Sequence, residues 1–409
     1  MIVNADLHIH SRFSGATSEK MNIQNIALVA PLKGIDVVGT GDCLHSGWME
    51  EIKSCDVVDE GTFQFDKTRF ILSCEVEAEK RVHHLLFFPD FSSVDDFKER
   101  ICSRSKNLES DGRPNVDMTG EELAEVARDV DALIGPAHAF TPYTAIYSSF
   151  NSLEECYGDQ ACYVSFVELG LSADSDLADK IKELRRLTFL TNSDCHSPHP
   201  ARVAREFNRF EVKDATYNEI KKAILRVGGN KPLLNVGLPP AEGKYHESAC
   251  RSCYTHYTLE EAVRRRWKCS CGKPIKKGVK DRINERADFV EPQHPKHRPP
   301  YVHLIPMTEI ITKAVGQRNP FTQTVNRRWS ELVSSCNSEI NVLLDCNIEE
   351  VSRYTAPAIV EAIQAFRENR VVVHPGGGGQ YGRIELPGDE TVTTMDLGPK
   401  DTQKSLSEY

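Results

Sequence analysis

Across roughly the first 230 residues, short apolar runs alternate with stretches whose apolar residues recur at helical spacing. The runs "GIDVVGTGD", "RFILSCEVEAE", "VHHLLFFP", "DALIGPAHAF", "VSFVELGL" and "LTFLTNSDCHS" read as buried strands, each bounded by turn formers. Between them, "NIQNIALVAPLKG", "TGEELAEVARDV" and "DSDLADKIKELRRL" carry the three-and-four spacing of amphipathic helices. This alternation predicts an α/β fold built on a parallel sheet or barrel, in which functional side chains gather at the carboxyl ends of strands. It stops at the Pro/Gly-rich "NVGLPPAEGKYHESAC" that starts at Asn235. Beyond lie a cysteine cluster, a Pro/His-rich "PQHPKHRPPYVHLIP", a helical pattern in "APAIVEAIQAFRENR" and a final "VVVHPGGGGQYGRI". The expected divisions are 1–235, 236–290, 291–397 and a polar tail, 398–409, too poor in apolar residues to fold.

A chain of 409 residues exceeds one ordinary core, in keeping with several domains. No run approaches the roughly 18 apolar residues of a membrane span. Residues 1–30 place Asp6, His8, His10 and Arg12 where a secretory leader needs an apolar core, so a cytoplasmic protein without a membrane partner is expected. Thirteen cysteines, an odd number scattered along the chain, fit reduced thiols and metal ligands better than a disulfide framework. The net charge of -10 argues against a surface that attracts nucleic acid indiscriminately and leaves that role to local patches.

Candidate chemistry starts at "ADLHIHSRFSG", where His8 and His10 share one face at the end of the first strand. Other strand ends supply Asp42, Cys43 and His45, then Glu75 and Glu77, His83 and His84, His138, and finally Asp194, Cys195, His196 and His199. Eight of the 14 histidines fall in these positions, which is more than solvated or core histidines account for. Imidazoles and carboxylates in this number suit two or three zinc, manganese or iron ions with a bridging carboxylate. Such ion clusters are the usual machinery for displacement at phosphorus, so phosphoester hydrolysis is the leading expectation.

The ordered motifs "DLHIHS", "GTGDCLH", "CEVEAE", "HHLLFF", "GPAHAF" and "NSDCHS" resemble the polymerase and histidinol phosphatase (PHP) superfamily over about 200 residues. The resemblance implies a distorted barrel of seven β/α units, (β/α)7, with a multinuclear centre on its C-terminal face. By the same resemblance His8, His10, Glu75 and Asp194 hold one ion, and Glu75 bridges to a second held by His84 and His138. Asp194, Glu75 and His138 thereby become the candidate catalytic residues. His84 is preferred to His83 for its place directly before "LLFF". The chain departs from the superfamily at Cys43 and near Ser14, where histidines are common, so the third position is assigned to His196 with Asp42, with Cys43, His45 and His199 as substitutes.

Cys250 and Cys253, followed by Cys269 and Cys271, give two knuckles that match a structural zinc site with four thiolates. From Arg264 to Arg286 ten basic residues face two acidic ones. Within an acidic chain this makes Arg264, Arg265, Arg266, Lys276 and Lys277 candidate DNA contacts, against the plainer reading of a solvated basic face. The four glycines before Tyr381 allow close backbone approach to a ligand, and a simple turn accounts for them equally.

The two knuckles, "NSDCHSPHPARVAREFNRFEV", "GKPIKKGVKDRINERAD" and "HPKHRPPYVHLIP" together resemble a narrower family, endonuclease Q. That resemblance implies a barrel, a four-cysteine zinc module and a mostly helical C-terminal domain. It further implies a DNA repair nuclease that nicks 5′ to uracil, hypoxanthine, xanthine or an abasic site, with Zn²⁺ as cofactor and Mg²⁺ or Mn²⁺ as alternatives. A sugar or histidinol phosphate phosphatase would leave the module and basic segment unexplained. A DNA-binding scaffold with an inactive barrel would leave the histidines unused.

Overall fold

The computed structural model describes residues 1–388, so the expected tail at 398–409 lies outside the described residues. The strands are β1 (Ile2–Asp6), β2 (Val37–Gly39), β3 (Asp56–Asp59), β4 (Thr62–Phe65), β5 (Thr68–Ile71), β6 (Ser73–Glu77), β7 (His83–Phe87) and β8 (Leu133–Pro136). Next come β9 (Phe166–Glu168), β10 (Thr188–Leu190), β11 (Phe207–Glu211), β12 (Lys231–Gly237), β13 (Ala249–Cys250), β14 (Ile275–Lys276), β15 (Tyr301–His303), β16 (Val372–His374) and β17 (Arg383–Glu385).

One sheet runs β15-β12-β11-β1-β2-β5-β4-β3, a second runs β6-β7-β8, and a third pairs β9 with β10. Val3, Ala5 and Leu7 alternate into an apolar interior shared with Val37, Ile71, Leu85, Phe87, Leu133, Phe166 and Leu190. The three sheets therefore enclose one core, and the fold is mixed α/β. The expected alternation yields parallel pairs where it holds: β1 with β2, β2 with β5, and β9 with β10. It fails at "RFILSCEVEAE", which splits into β5 and β6, and β6 turns back on β7 as an antiparallel pair with only a 3₁₀ turn, Glu79–Arg81, between them.

The helices Ile23–Lys33 and Gly120–Asp129 form where the pattern places them. Asn22 caps the first, and a reciprocal Thr119–Glu122 capping box starts the second. "DSDLADKIKELRRL" instead gives one turn at Ser175–Ala178 and a short 3₁₀ turn at Lys182–Arg186. A distant segment takes its hydrogen-bonding groups. The Lys180 carbonyl accepts from the Asp288 and Phe289 amides, and Arg298 grips the buried Asp179 carboxylate through two 2.8 Å bonds. The following strand, β15, lies beyond the expected division at 290 and pairs in parallel with β12.

Helices Met307–Ala314, Gln323–Cys336 and Pro357–Arg367 pack together after β15. They are tied to the first region by Lys33, 1% exposed, whose ammonium donates to Glu339 at 2.6 Å and to the Pro200 carbonyl at 2.7 Å. The glycine run seats against the cysteine module. Gly378 has φ +67°, and a side chain there would meet the Cys250 carbonyl at 2.3 Å.

Candidate metal centre and four-cysteine module

The backbone after β1 is zipped to the loop after β10. Asp194 N–H donates to the His8 carbonyl at 2.9 Å, His10 N–H donates to the Cys195 carbonyl at 3.0 Å, and Asp6 accepts from Ser193 N–H at 2.9 Å. This pairing brings the two histidines of the first motif to the acid of the last one, 184 residues away. His10 Nε2 lies 3.2 Å from Asp194 Oδ1 and 3.4 Å from Glu75 Oε2, while His8 Nε2 lies 3.9 Å from each of the same two carboxylates. His8 Nε2, His10 Nε2 and Asp194 Oδ1 are buried without a hydrogen-bond partner. Buried polar atoms are ordinarily satisfied, so three orphans converging on one point fit a site built for a cation.

The other ring nitrogens are tethered, which is how metal-binding imidazoles are oriented. His8 Nδ1 sits 3.0 Å from Glu168 Oε1, His10 Nδ1 sits 3.0 Å from Asp42 Oδ1, and His138 Nδ1 sits 3.2 Å from Thr141 Oγ1. Glu168 also accepts from the His138 amide at 2.8 Å, so one carboxylate positions two imidazoles. A second group joins Glu75 to His138 Nε2 at 2.7 Å and to His83 Nδ1 at 2.9 Å, with Glu77 holding His83 Nε2 at 3.1 Å. A third joins His196 to His10 and Asp194. Three groups linked through Glu75 and His10 match a multinuclear centre.

Two expected ligands lie elsewhere. His84 points away from Glu75, with its Nδ1 2.8 Å from the Tyr157 hydroxyl, and burial drives its pKa down to about 3. The register explains the exchange: Glu77 faces His83 directly across the antiparallel pair, whereas His84 faces Val76. Asp42 stands one shell out, holding His10 and accepting from the Ser11 amide and the Ser14 hydroxyl. The substitutes for the third position are also outside the cluster. Cys43 is buried in the core, His45 stacks on Phe13, and His199 packs against Phe321.

Glu168 and Arg113 are additions to the expected set. Glu168 is the one acid in "VSFVELGL", a readable signal, whereas nothing local marks Arg113. Its guanidinium reaches Glu75 Oε2 at 3.3 Å, from a loop whose Gly112 has no room for a side chain against Asp42. Asp42, His138 and Asp194 all adopt left-handed backbone, with φ of +50°, +29° and +47°, which costs on the order of 1–3 kcal/mol each and concentrates at functional sites.

Charge is balanced within the cluster. Burial opposes protonation of His8, but Glu168, Glu75 and Asp194 outweigh it and lift the pKa to about 9. Burial likewise opposes the charge on Glu75, yet His83, His10 and His138 hold its carboxyl well below the usual range. Cations entering the centre therefore replace protons.

The four module cysteines also converge. Cys250 and Cys271 sulfurs are 3.5 Å apart and those of Cys253 and Cys269 3.4 Å apart, too far for S–S bonds at about 2.05 Å. Amides of Ser252 and Cys271 donate to the Cys250 and Cys269 sulfurs, and the Tyr257 hydroxyl draws the Cys269 pKa down to about 6. A thiolate present at neutral pH is what a metal site requires. Cys250→Ser is expected to unfold the module selectively, because its small core of Cys250, Ala262, Cys269 and Ile275 cannot hold without the cross-link. Protease cleavage confined to about 245–285 checks this, and uniform protection of that stretch would refute it.

Of the candidate DNA contacts, Arg264, Arg265 and Arg266 are exposed. Lys276 stands 4.4 Å over the Tyr143 ring, and Lys277 is paired with Glu285 at 2.7 Å. Among the described residues no helix is long and apolar enough to cross a membrane.

The mixed α/β scaffold thus carries three groups of histidines and acids and one of four cysteines, each of which could hold a metal ion. The crystal structure of the lesion-specific endonuclease PfuEndoQ from Pyrococcus furiosus matches at 50% identity and TM-score 0.92, covering 95% of this chain and 96% of that one. A complex of endonuclease Q with a 27-mer duplex carrying an abasic lesion at the active site matches at 50% identity and TM-score 0.89, covering 95% and 97%. The Bacillus subtilis protein YqxK is 30% identical over 412 residues, 94% of this chain and 99% of its own. The Methanocaldococcus jannaschii protein MJ0043 is 46% identical over 255 residues, 61% of this chain, and the match spans only 31% of that longer relative. Residues 306–370 match the family described as the MJ0043 C-terminal domain. The chain belongs to the endonuclease Q family.

Proposed function

We propose that this protein is a DNA repair endonuclease that hydrolyses the phosphodiester bond 5′ to a deaminated base or an abasic site. The observation that carries this reading is the near full-length likeness, at 50% identity, to endonuclease Q bound to a lesion-bearing duplex. Deaminated bases are the proposed targets because a mispaired or missing base is the cheapest to extrude from a duplex. A cytoplasmic site of action follows from the same reading.

The proposed ligands are His8, His10, Glu75 and Asp194 for one ion, Glu75, His83 and His138 for a second, and His196 with Asp194 for a third. When bound, the ions supply an activated water and positive charge for the phosphate oxygens. Zinc is the proposed ion here and at the four cysteines, with Mg²⁺ or Mn²⁺ as working alternatives in the barrel. Asp194 orients the attacking water, and Arg113, directed at the same cluster, takes a phosphate oxygen through its guanidinium. Glu168 and Asp42 keep His8 and His10 turned toward the centre. The proposed organisation is a (β/α)7 barrel over 1–235, the cysteine module over 236–290 and a mostly helical domain over 291–397, with β15 returned to the barrel sheet.

Labelled duplexes containing uracil, hypoxanthine or an abasic site, incubated with each metal, should be nicked once on the 5′ side while normal duplex is spared. Equal cutting of normal DNA, or hydrolysis confined to small phosphate esters, would defeat the repair reading. Replacing Arg264, Arg265 and Arg266 together by alanine should weaken binding and reduce the slope of log K against log salt by about 2–3, at roughly 0.9 per phosphate contact. An unchanged slope returns them to a solvated face.

A further inference from the structure

Outside the metal centre, aromatic rings and ammonium groups alternate along the border between barrel and module. Tyr143 is 39% exposed and Tyr381 67%. Tyr143 meets Tyr245 edge to face at 6.0 Å, Lys276 lies 4.4 Å over Tyr143, and Lys244 lies 5.4 Å from the Tyr245 ring and 5.8 Å from that of Tyr381. The series begins at the centre itself. Tyr143 sits on a loop anchored on one side by Thr141 against His138 and on the other by the Thr144 carbonyl, which accepts from His83 N–H at 3.0 Å. It ends at the glycine run packed on the module, where Gly379 N–H donates to the Lys244 carbonyl.

Two of the three rings are exposed and the middle one, Tyr245, is half-buried; rings interleaved with cations provide a π-face for a base beside a charge for its phosphate. The basic groups favour a polyanion over an apolar peptide. We propose that Tyr143, Tyr245 and Tyr381, with Lys244 and Lys276, form a stacking track for unpaired bases of the DNA strand beside the lesion. This rests on the nuclease reading and adds a strand-holding surface to it: extruding the damaged base frees neighbours to unstack, and the track receives them at a fixed distance from the metals.

The test uses the full chain with its metals in place, a non-hydrolysable linkage 5′ to the lesion to stop cutting, and abasic duplexes with 2-aminopurine at successive positions on either side of the lesion. Fluorescence and anisotropy are read together. Wild type should quench the reporter at one or two positions. Tyr143→Ala and Tyr381→Ala should each lose that quenching and bind about tenfold more weakly, in keeping with one base stack. Tyr143→Phe should retain both properties, which separates stacking from a folding defect, and Tyr381 is exposed enough that its alanine variant keeps the fold. Alanine variants that bind and quench like wild type would overturn the track and leave the nuclease reading standing. Wild type that fails to bind the abasic duplex at all would overturn both.

Discussion

Replacing Asp194 by asparagine is expected to lower the nicking rate by about a thousandfold, roughly 4 kcal/mol of transition-state stabilisation, while DNA affinity stays within about twofold. The Oδ1 atom lies between His8 and His10 without a hydrogen-bond partner, so its charge is placed to neutralise bound cations as well as the two imidazoles. Asparagine is chosen over alanine because residue 194 has φ +47°, a conformation that asparagine tolerates and alanine does not. A loss of activity in this variant therefore reports on chemistry and not on backbone damage. Single-turnover nicking of an abasic duplex, with anisotropy on the same oligonucleotide, measures the two effects. A variant within tenfold of wild type would remove Asp194 from the centre.

The second large effect is structural. Glu339→Ala should destabilise the docking of the helical region by about 3–5 kcal/mol, the usual consequence of stranding a buried charge. One carboxylate there accepts from Lys33 at 2.6 Å, from the Met307 amide at 3.0 Å and from the Trp329 indole at 2.6 Å. Its removal orphans a lysine ammonium that keeps only the Pro200 carbonyl. Hydrogen exchange should show lost protection across 307–367 ahead of the barrel strands. The double change Lys33→Met with Glu339→Leu should recover most of the loss, since paired apolar replacements of buried ion pairs are often neutral. If Glu339→Ala leaves that protection intact, the carboxylate does not hold the two regions together.

Both sites show how far the primary structure can be read. His8, His10, His138, Asp194 and His196 were legible because each sits at the end of an apolar run, where strand geometry delivers side chains to one rim. The exchange of His84 for His83 arose because position next to "LLFF" says nothing of register. The antiparallel return of β7 on β6 sets which histidine shares a face with Glu75. Asp42 shows a different limit, since its motif marks the right region without saying whether it touches a metal or a histidine. Arg113 and the broken helix near Asp179 depend on partners far along the chain, which no local window contains. The cysteine knuckles were plain because their spacing is itself the structural requirement.

The left-handed conformations of Asp42, His138 and Asp194 have a consequence for laboratory evolution. Glycine would sit more comfortably at all three positions, so a campaign that screens only for survival on heating rewards the changes that disarm the enzyme. Heat-hardened descendants of this chain should be sequenced at these three codons before their catalytic silence is blamed on distant mutations.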